Sequence, residues 1–242
     1  MSTEYIFETA CKLLSSNQLP PEFDQWELTN DVVETVAHIA ARQGHLPENF
    51  NQWELATEDG WTVAHEAAYH GHLPENFNQW ELATKNGLTV AHVAACHRHL
   101  PENFNQWELA TEEGETVAHV VAYYSPLPEN FDKWELATED GWTVAHEAAR
   151  NCKLPLNFDH WEWATKDGWT VAHEAVHKKL PDNFTHWEWA DKNGTTVAHV
   201  AASFNTLPPD FSNWELINKK GYTVKNILEL EKQNSCFLND YL

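Results

Sequence analysis

The sequence predicts an all-α protein, an α-solenoid of about eight stacked helix-turn-helix repeats. A Leu-Pro step recurs every 27 residues, with a single spacing of 26, and a Phe and a Trp follow each step in the same register. The steps lie at Leu19, Leu46, Leu73, Leu100, Leu127, Leu154, Leu180 and Leu207, and they begin the segments called repeats 1 to 8 below. A Thr-Val-Ala-His element recurs seven times, and no stretch alternates as a strand would.

Residues 1–18 lie outside the repeat. Tyr5, Ile6, Ala10 and Leu13 fall at helical spacing, which predicts an amphipathic helix. A solenoid needs such a helix because its terminal repeat would otherwise expose a buried face. We therefore expect an N-terminal capping helix at 1–18, an array at 19–228 and a C-terminal cap and tail at 229–242.

Each repeat contains a short helix with recognisable ends. Thr62 is a good N-cap residue, and His65, three positions later, can reach back to the cap. Gly71 can adopt the left-handed backbone that ends a helix, so the helix is predicted from about Thr62 to His70. In repeat 8 the element begins at Thr223, and Lys225 is interpreted as replacing the histidine.

A second helix is predicted over residues 74–81 of the same pattern. Pro74 suits a first helical position, and Phe77 and Trp80 would lie one turn apart on one face. The polar residues at 84–87 then form a turn that returns the chain to the next Thr.

Charge and cysteine usage restrict the possible partners. The 242 residues carry 37 acidic and 15 basic side chains, a formal charge of −22, which opposes binding to nucleic acid or to an anionic membrane and favours a basic partner. The four cysteines lack paired spacing, and the N-terminus lacks the features of a signal peptide. We expect a monomeric, cytoplasmic protein without a cofactor.

The run Asp-Gly-Trp-Thr-Val-Ala-His-Glu-Ala-Ala at residues 59–68, with the Gly-His-Leu at 71–73, resembles the first half of an ankyrin repeat. It shares an Asp-Gly turn, a Thr-x-x-His helix start, a double Ala and a Gly-His helix end. Val63 and Ala64 stand where the family usually has Pro and Leu. The repeat is about six residues shorter than an ankyrin repeat, which implies truncated hairpins.

The resemblance implies a non-enzymatic scaffold that binds another protein on a concave face. Binding residues should then be those that vary while the framework is kept. The candidates are Trp61, Glu66, Tyr69, Leu88, Tyr123, Trp142, Glu147, Trp169 and Glu174. Trp beside Glu suits a Lys- or Arg-bearing partner, although each Trp could instead cover the edge of the neighbouring layer. Short Trp-rich arrays of this kind also resemble bacterial proteins, some of them effectors delivered into host cells.

Two alternatives belong to other functional classes. Exposed carboxylates that recur along the array could mimic nucleic acid and block a DNA- or RNA-binding protein; one such row is Glu48, Glu75, Glu102 and Glu129. The His173-Glu174-x-x-His177 run matches a zinc-hydrolase pattern. However, His173 and Glu174 recur in other repeats that lack the second histidine, so we predict neither a metal site nor catalytic residues.

Overall fold

The computed structural model describes residues 3–16, 18–20, 22–30, 34–178 and 180–232. They belong to two compact units, Met1–Ser125 and Pro126–Leu242. The predicted C-terminal tail lies largely outside the described residues, as does Cys236.

Helices account for the regular structure. They are α1 (Thr3–Ser15), α2 (Val36–Gln43), α3 (Val63–His70), α4 (Val90–His97), α5 (Val117–Tyr124), α6 (Val144–Arg150), α7 (Val171–Ala175), α8 (Val197–Ser203) and α9 (Val224–Lys232). A 3₁₀ turn, Val176–Lys178, follows α7. Over the described ranges the chain forms no strand, only isolated bridges such as that between Ala83 and Thr89. The predicted all-α class is confirmed.

Successive helices stack, α1 to α5 in the first compact unit and α6 to α9 in the second. Small residues allow the close approach, since Ala64, Ala67 and Ala68 of α3 have no exposed surface. The predicted N-terminal helix packs on the first repeat, where Phe7 and Leu14 join a core that includes Trp26. The three segment boundaries of the sequence analysis stay a prediction.

The prediction of a second helix is wrong: over its described residues, each repeat contains one α-helix rather than two. Residues 74–81 form two turns instead, with the Phe77 N–H donating to Pro74 O (3.0 Å) and the Leu82 N–H to Gln79 O (3.3 Å). The carbonyls of Leu82 and Trp80 accept from Val90 and Ala91 at the start of α4 (2.9 and 3.2 Å). The segment thereby satisfies donors that a helix start leaves unpaired.

The Phe and Trp of these loop segments form an edge-to-face ladder between repeats. The Phe50 and Trp53 rings lie 5.0 Å apart at 86°, and Trp53 meets Phe77 of the next repeat at 5.5 Å. In the first compact unit the ladder runs from Phe23 to Trp107. Edge-to-face contacts add stability beyond the area they bury.

Among the residues that the structure describes, none of the helices has the length and apolar character needed to cross a bilayer.

Candidate functional site

A Thr and a His cap the helix of most repeats as predicted. At α3 the Thr62 hydroxyl accepts from the His65 backbone N–H (3.3 Å), and His65 Nδ1 accepts from the Thr62 backbone N–H (3.1 Å). The same capping box begins α2 and α4 to α8. The capping histidines are His38, His65, His92, His119, His146, His173 and His199.

Most of the capping histidines also link their repeat to the next one. These are His38, His65, His92, His146, His173 and His199. His65 Nε2 lies 3.0 Å from the carbonyl oxygen of Leu88, which can only accept, so Nε2 carries the proton and the ring is neutral. Burial lowers the pKa of His65, and it lowers the pKa of His173 to about 4. Both ring nitrogens are therefore occupied, and these histidines serve structure.

Repeat 8 corrects the interpretation of Lys225. The residue three positions after Thr223 is Asn226, whose side-chain oxygen accepts from the Thr223 N–H (3.0 Å) while its own N–H donates to the Thr223 hydroxyl (3.1 Å). Asn226 thus replaces the histidine and keeps the local cap, whereas Lys225 stands in an alanine position.

The predicted tryptophans and glutamates form three Trp–Glu pairs. The indole N–H donates to the carboxylate five residues later, at 2.8 Å in Trp61–Glu66, 3.0 Å in Trp142–Glu147 and 2.8 Å in Trp169–Glu174. Each indole ring also lies over the capping histidine of its own helix, at 5.1, 5.1 and 4.7 Å between centroids. The rings are half-buried and held in one orientation.

Basic and amide groups of the chain itself contact the carboxylates of these pairs. Arg42 Nε donates to Glu66 Oε1 (2.7 Å), and the same guanidinium pairs with Glu34. The arginine lies one repeat earlier and 24 residues before the glutamate. Its role was not predicted, although this spacing is visible in the sequence.

The second compact unit repeats this spacing with a looser contact. Arg150 Nε lies 3.9 Å from a Glu174 oxygen, and its guanidinium lies 5.1 Å from the Trp142 ring centroid. Asn151 donates to Glu147 Oε1 at 2.8 Å. Burial raises the pKa of Glu174, although Trp169 and Arg150 oppose that shift.

The remaining candidates are more varied. Tyr69 and Tyr123 are 46% and 52% exposed, and the Tyr69 ring contacts the His97 ring at 4.1 Å. Leu88 is half-buried, and its carbonyl is the acceptor for His65. Five candidates thus lie in the first compact unit, and the two pairs of Trp142 and Trp169 lie in the second.

Comparison with known proteins finds similarity in structure but not in sequence. The chain matches no family model and no curated protein. The solved ankyrin repeat domain of Bcl-3, described as a unique member of the IkappaB protein family, is similar with 16% sequence identity and a TM-score of 0.45. The match covers 82% of this chain and 98% of that one. The fold itself rests on the helices and caps described above.

The His-Glu-x-x-His run does not bring its histidines together. His173 bonds to Thr170 and to the carbonyl of Thr195 (3.1 Å). His177 instead places Nδ1 2.5 Å from the Glu174 carbonyl oxygen and Nε2 3.3 Å from Cys152 Sγ. Over the described ranges no group of three or more His, Cys, Asp or Glu side chains is arranged to hold a metal ion.

Proposed function

We propose that this protein is a non-enzymatic scaffold that binds another protein through the Trp–Glu pairs, with Tyr69, Leu88 and Tyr123 completing the surface in the first compact unit. One observation carries the proposal. Repeat 3 has Leu88 and Val93 in the places of Trp and Glu, yet α4 has the same capping box and the same length as α3. The fold therefore does not require the pairs.

The geometry of the pairs suits recognition. An indole whose N–H is already hydrogen-bonded and whose face packs on a histidine keeps one orientation. Little side-chain conformational entropy is therefore lost when a partner binds it. Trp is also among the residues that contribute most to protein interfaces. The three rings are partly exposed and can therefore act as preorganised apolar anchors.

The partner is proposed to have a basic surface. The carboxylates of the pairs already accept bonds within the chain, so the preference comes instead from the net charge of −22 and from loop carboxylates. Glu48, Glu75 and Glu102 are exposed in the same register of the first compact unit. The electrostatic field of these negative charges attracts and orients a basic protein more than it strengthens the final complex.

The test combines partner capture with a swap of natural repeat residues. Partners retained from a lysate at low and at physiological salt are identified by mass spectrometry, and one is purified for titration. The variant Trp142→Leu, Glu147→Val, Trp169→Leu, Glu174→Val gives two repeats the residues of repeat 3. Because a Trp anchor contributes about 2 kcal/mol or more, its dissociation constant should rise at least about thirtyfold.

Glu115→Leu is the matched control, because it places the residue of repeat 3 at the same position of a repeat without a Trp–Glu pair. It should leave the affinity unchanged. An unchanged affinity in the swapped variant would contradict the anchor role.

The exposed loop carboxylates support a second candidate, an acidic mimic that inhibits a DNA- or RNA-binding protein. That function predicts capture of several nucleic-acid-binding proteins, all released together as salt rises. It also predicts at most a small effect of the swapped variant, which removes two of the 37 acidic side chains. Retention of one partner at physiological salt would exclude it. The monomeric state, the cytoplasmic location and a role as a bacterial effector stay predictions from the sequence.

A further inference from the structure

Repeat 6 is one residue shorter than the repeats before it, and the loss falls between Thr170 and Leu180, the stretch that contains its helix. Leu180 lies ten positions after Thr170, whereas Leu154 lies eleven positions after Thr143. The helix α7 ends at Ala175 and continues as a 3₁₀ turn. Because a 3₁₀ turn advances about 2.0 Å per residue against 1.5 Å in an α-helix, it recovers part of the missing length.

The shortened helix changes the packing of the loop that follows it. Leu180 is drawn into the core at 5% exposure, whereas Leu154 and Leu207 in the flanking repeats are half-buried. Phe184 becomes half-buried, whereas Phe158 is 8% exposed. In the described part of the second compact unit, the aromatic ladder runs from Phe131 to Trp161 and resumes at Phe184, without a ring contact between those last two.

A groove of about 510 Å³ lies where the ladder is interrupted. Its apolar lining includes Leu156, Phe158, Trp161, Phe184 and Trp189. Leu156 is 108% exposed, so its side chain is fully available to a ligand. A volume of this size is typical of sites that bind small ligands or a few side chains.

The residues that distinguish repeats 6 and 7 cluster around this groove. Leu156 stands where repeats 2 to 5 have Glu. Trp163 and Trp189 stand where the same repeats have Leu, and His160 and His186 where they have Gln or Lys. The His160 and Trp163 rings stack at 4.4 Å and 4°, and the His186 and Trp189 rings at 4.5 Å and 1°. These departures are not needed for the repeat itself.

The charge of the groove is acidic. Asp159 and Glu162 belong to its lining, with side chains that are 83% and 54% exposed, and the described lining contains no Lys or Arg. Flat aromatic rings beside carboxylates favour a guanidinium or ammonium group, while Leu156 offers an apolar contact.

We propose that this groove binds an extended peptide segment that carries Arg or Lys next to a Leu-sized apolar residue. The site uses loop residues of repeats 6 and 7 and none of the Trp–Glu pairs. The proposal therefore goes beyond the proposed function and can be tested independently of it.

The test measures fluorescence anisotropy of labelled hexapeptides with the full chain at physiological salt. The probes alternate Arg with Leu, Arg with Ser, or Glu with Leu. The Arg–Leu probe should bind about tenfold more tightly than the Arg–Ser probe, and the Glu–Leu probe should bind weakest. Leu156→Glu, which restores the residue of repeats 2 to 5, should raise the dissociation constant of the Arg–Leu probe about tenfold.

The direction of this change in affinity distinguishes binding in the groove from non-specific electrostatic attraction. Leu156→Glu adds a negative charge, so non-specific binding to an acidic protein would become tighter rather than weaker. Trp189→Leu should also weaken binding of the probe, whereas the reverse change Glu129→Leu in repeat 5 should not. The proposal is overturned if Arg–Leu binds no better than Glu–Leu, or if Leu156→Glu leaves its affinity unchanged.

Discussion

At the scale of single residues, His92 shows how one imidazole connects two repeats. Its Nδ1 accepts from the Thr89 backbone N–H (3.3 Å), and its Nε2 lies 3.0 Å from the carbonyl oxygen of Glu115 in the next repeat. The side chain has no exposed surface. Removing it leaves the buried Thr89 N–H without this partner, while the Glu115 carbonyl oxygen keeps its bond from the Thr111 N–H (2.9 Å). An unpaired buried donor costs more than the net value of the bond itself.

His92→Ala should therefore lower the free energy of unfolding by about 3 kcal/mol, from the unpaired Thr89 N–H and the cavity left behind. His97→Ala is the control, because His97 is exposed near the end of the same helix. It should change stability by less than about 0.5 kcal/mol. Urea unfolding followed by circular dichroism measures both, and equal losses would contradict the linking role of His92.

At the scale of the helix, the backbone conformation of the C-cap residue affects stability. Gly71 has φ of 74°, and the His72 N–H donates back to the carbonyl of Ala67 (2.8 Å), which completes a Schellman motif. A Cβ at Gly71 would lie 3.0 Å from the His99 ring. Cys152 occupies the same position of repeat 5 with φ of 60°, a conformation that costs a residue with a side chain about 1 kcal/mol.

The two positions should respond in opposite directions. Gly71→Ala should destabilise the chain by about 1–2 kcal/mol, and Cys152→Gly should stabilise it by about 1 kcal/mol. Ser125 is the control, since its φ of −142° is extended and Ser125→Gly relieves no strain. The midpoint of urea unfolding measures the three variants; a gain for Ser125→Gly as large as that for Cys152→Gly would refute the cap explanation.

The second half of the repeat shows where helix periodicity misleads. Phe77 and Trp80 have helical spacing, but two turns place both rings in the ladder equally well. Asn76 and Asn78 are weak helix formers, and a helix this short is marginally stable unless other elements pack against it. Residues 74–81 instead use their carbonyls to complete the start of the next helix, a demand that exists only once the two segments are adjacent.

At the scale of the whole molecule, the buried histidines make stability depend on pH. Burial lowers the pKa of the capping histidines His38, His65, His92, His173 and His199 below the ordinary value of 6.5. At pH 7.5 these rings are largely uncharged in both the folded and the unfolded chain. As the pH falls below 6.5, the unfolded chain binds protons that the folded chain does not, so stability decreases.

Acidification from pH 7.5 to 5.0 should therefore lower the midpoint of urea unfolding. Glu174 opposes the trend weakly, because its raised pKa favours protonation in the folded state. His173→Gln should reduce the pH dependence of the unfolding free energy by up to about 1.4 kcal/mol per pH unit, whereas His45→Gln, at an exposed position, should not. Stability that is constant between pH 7.5 and 5.0 would contradict this assignment.

The sequence alone determined the repeat, the all-α class, the helix with its Thr, His and Gly ends, and the residues that vary between repeats. These features depend on contacts within about ten residues of chain, where spacing and residue type are sufficient. Only the tertiary structure decided that the carboxylates of the Trp–Glu pairs bond indoles and that Arg42 reaches Glu66. It also opened the groove beside Leu156. The Arg42 contact and the groove depend on side chains from neighbouring repeats, or on a one-residue change in register whose effect appears only when the layers pack. The Trp–Glu and Asn226–Thr223 bonds span at most five residues of chain, but spacing alone does not say which of several possible acceptors a side chain takes.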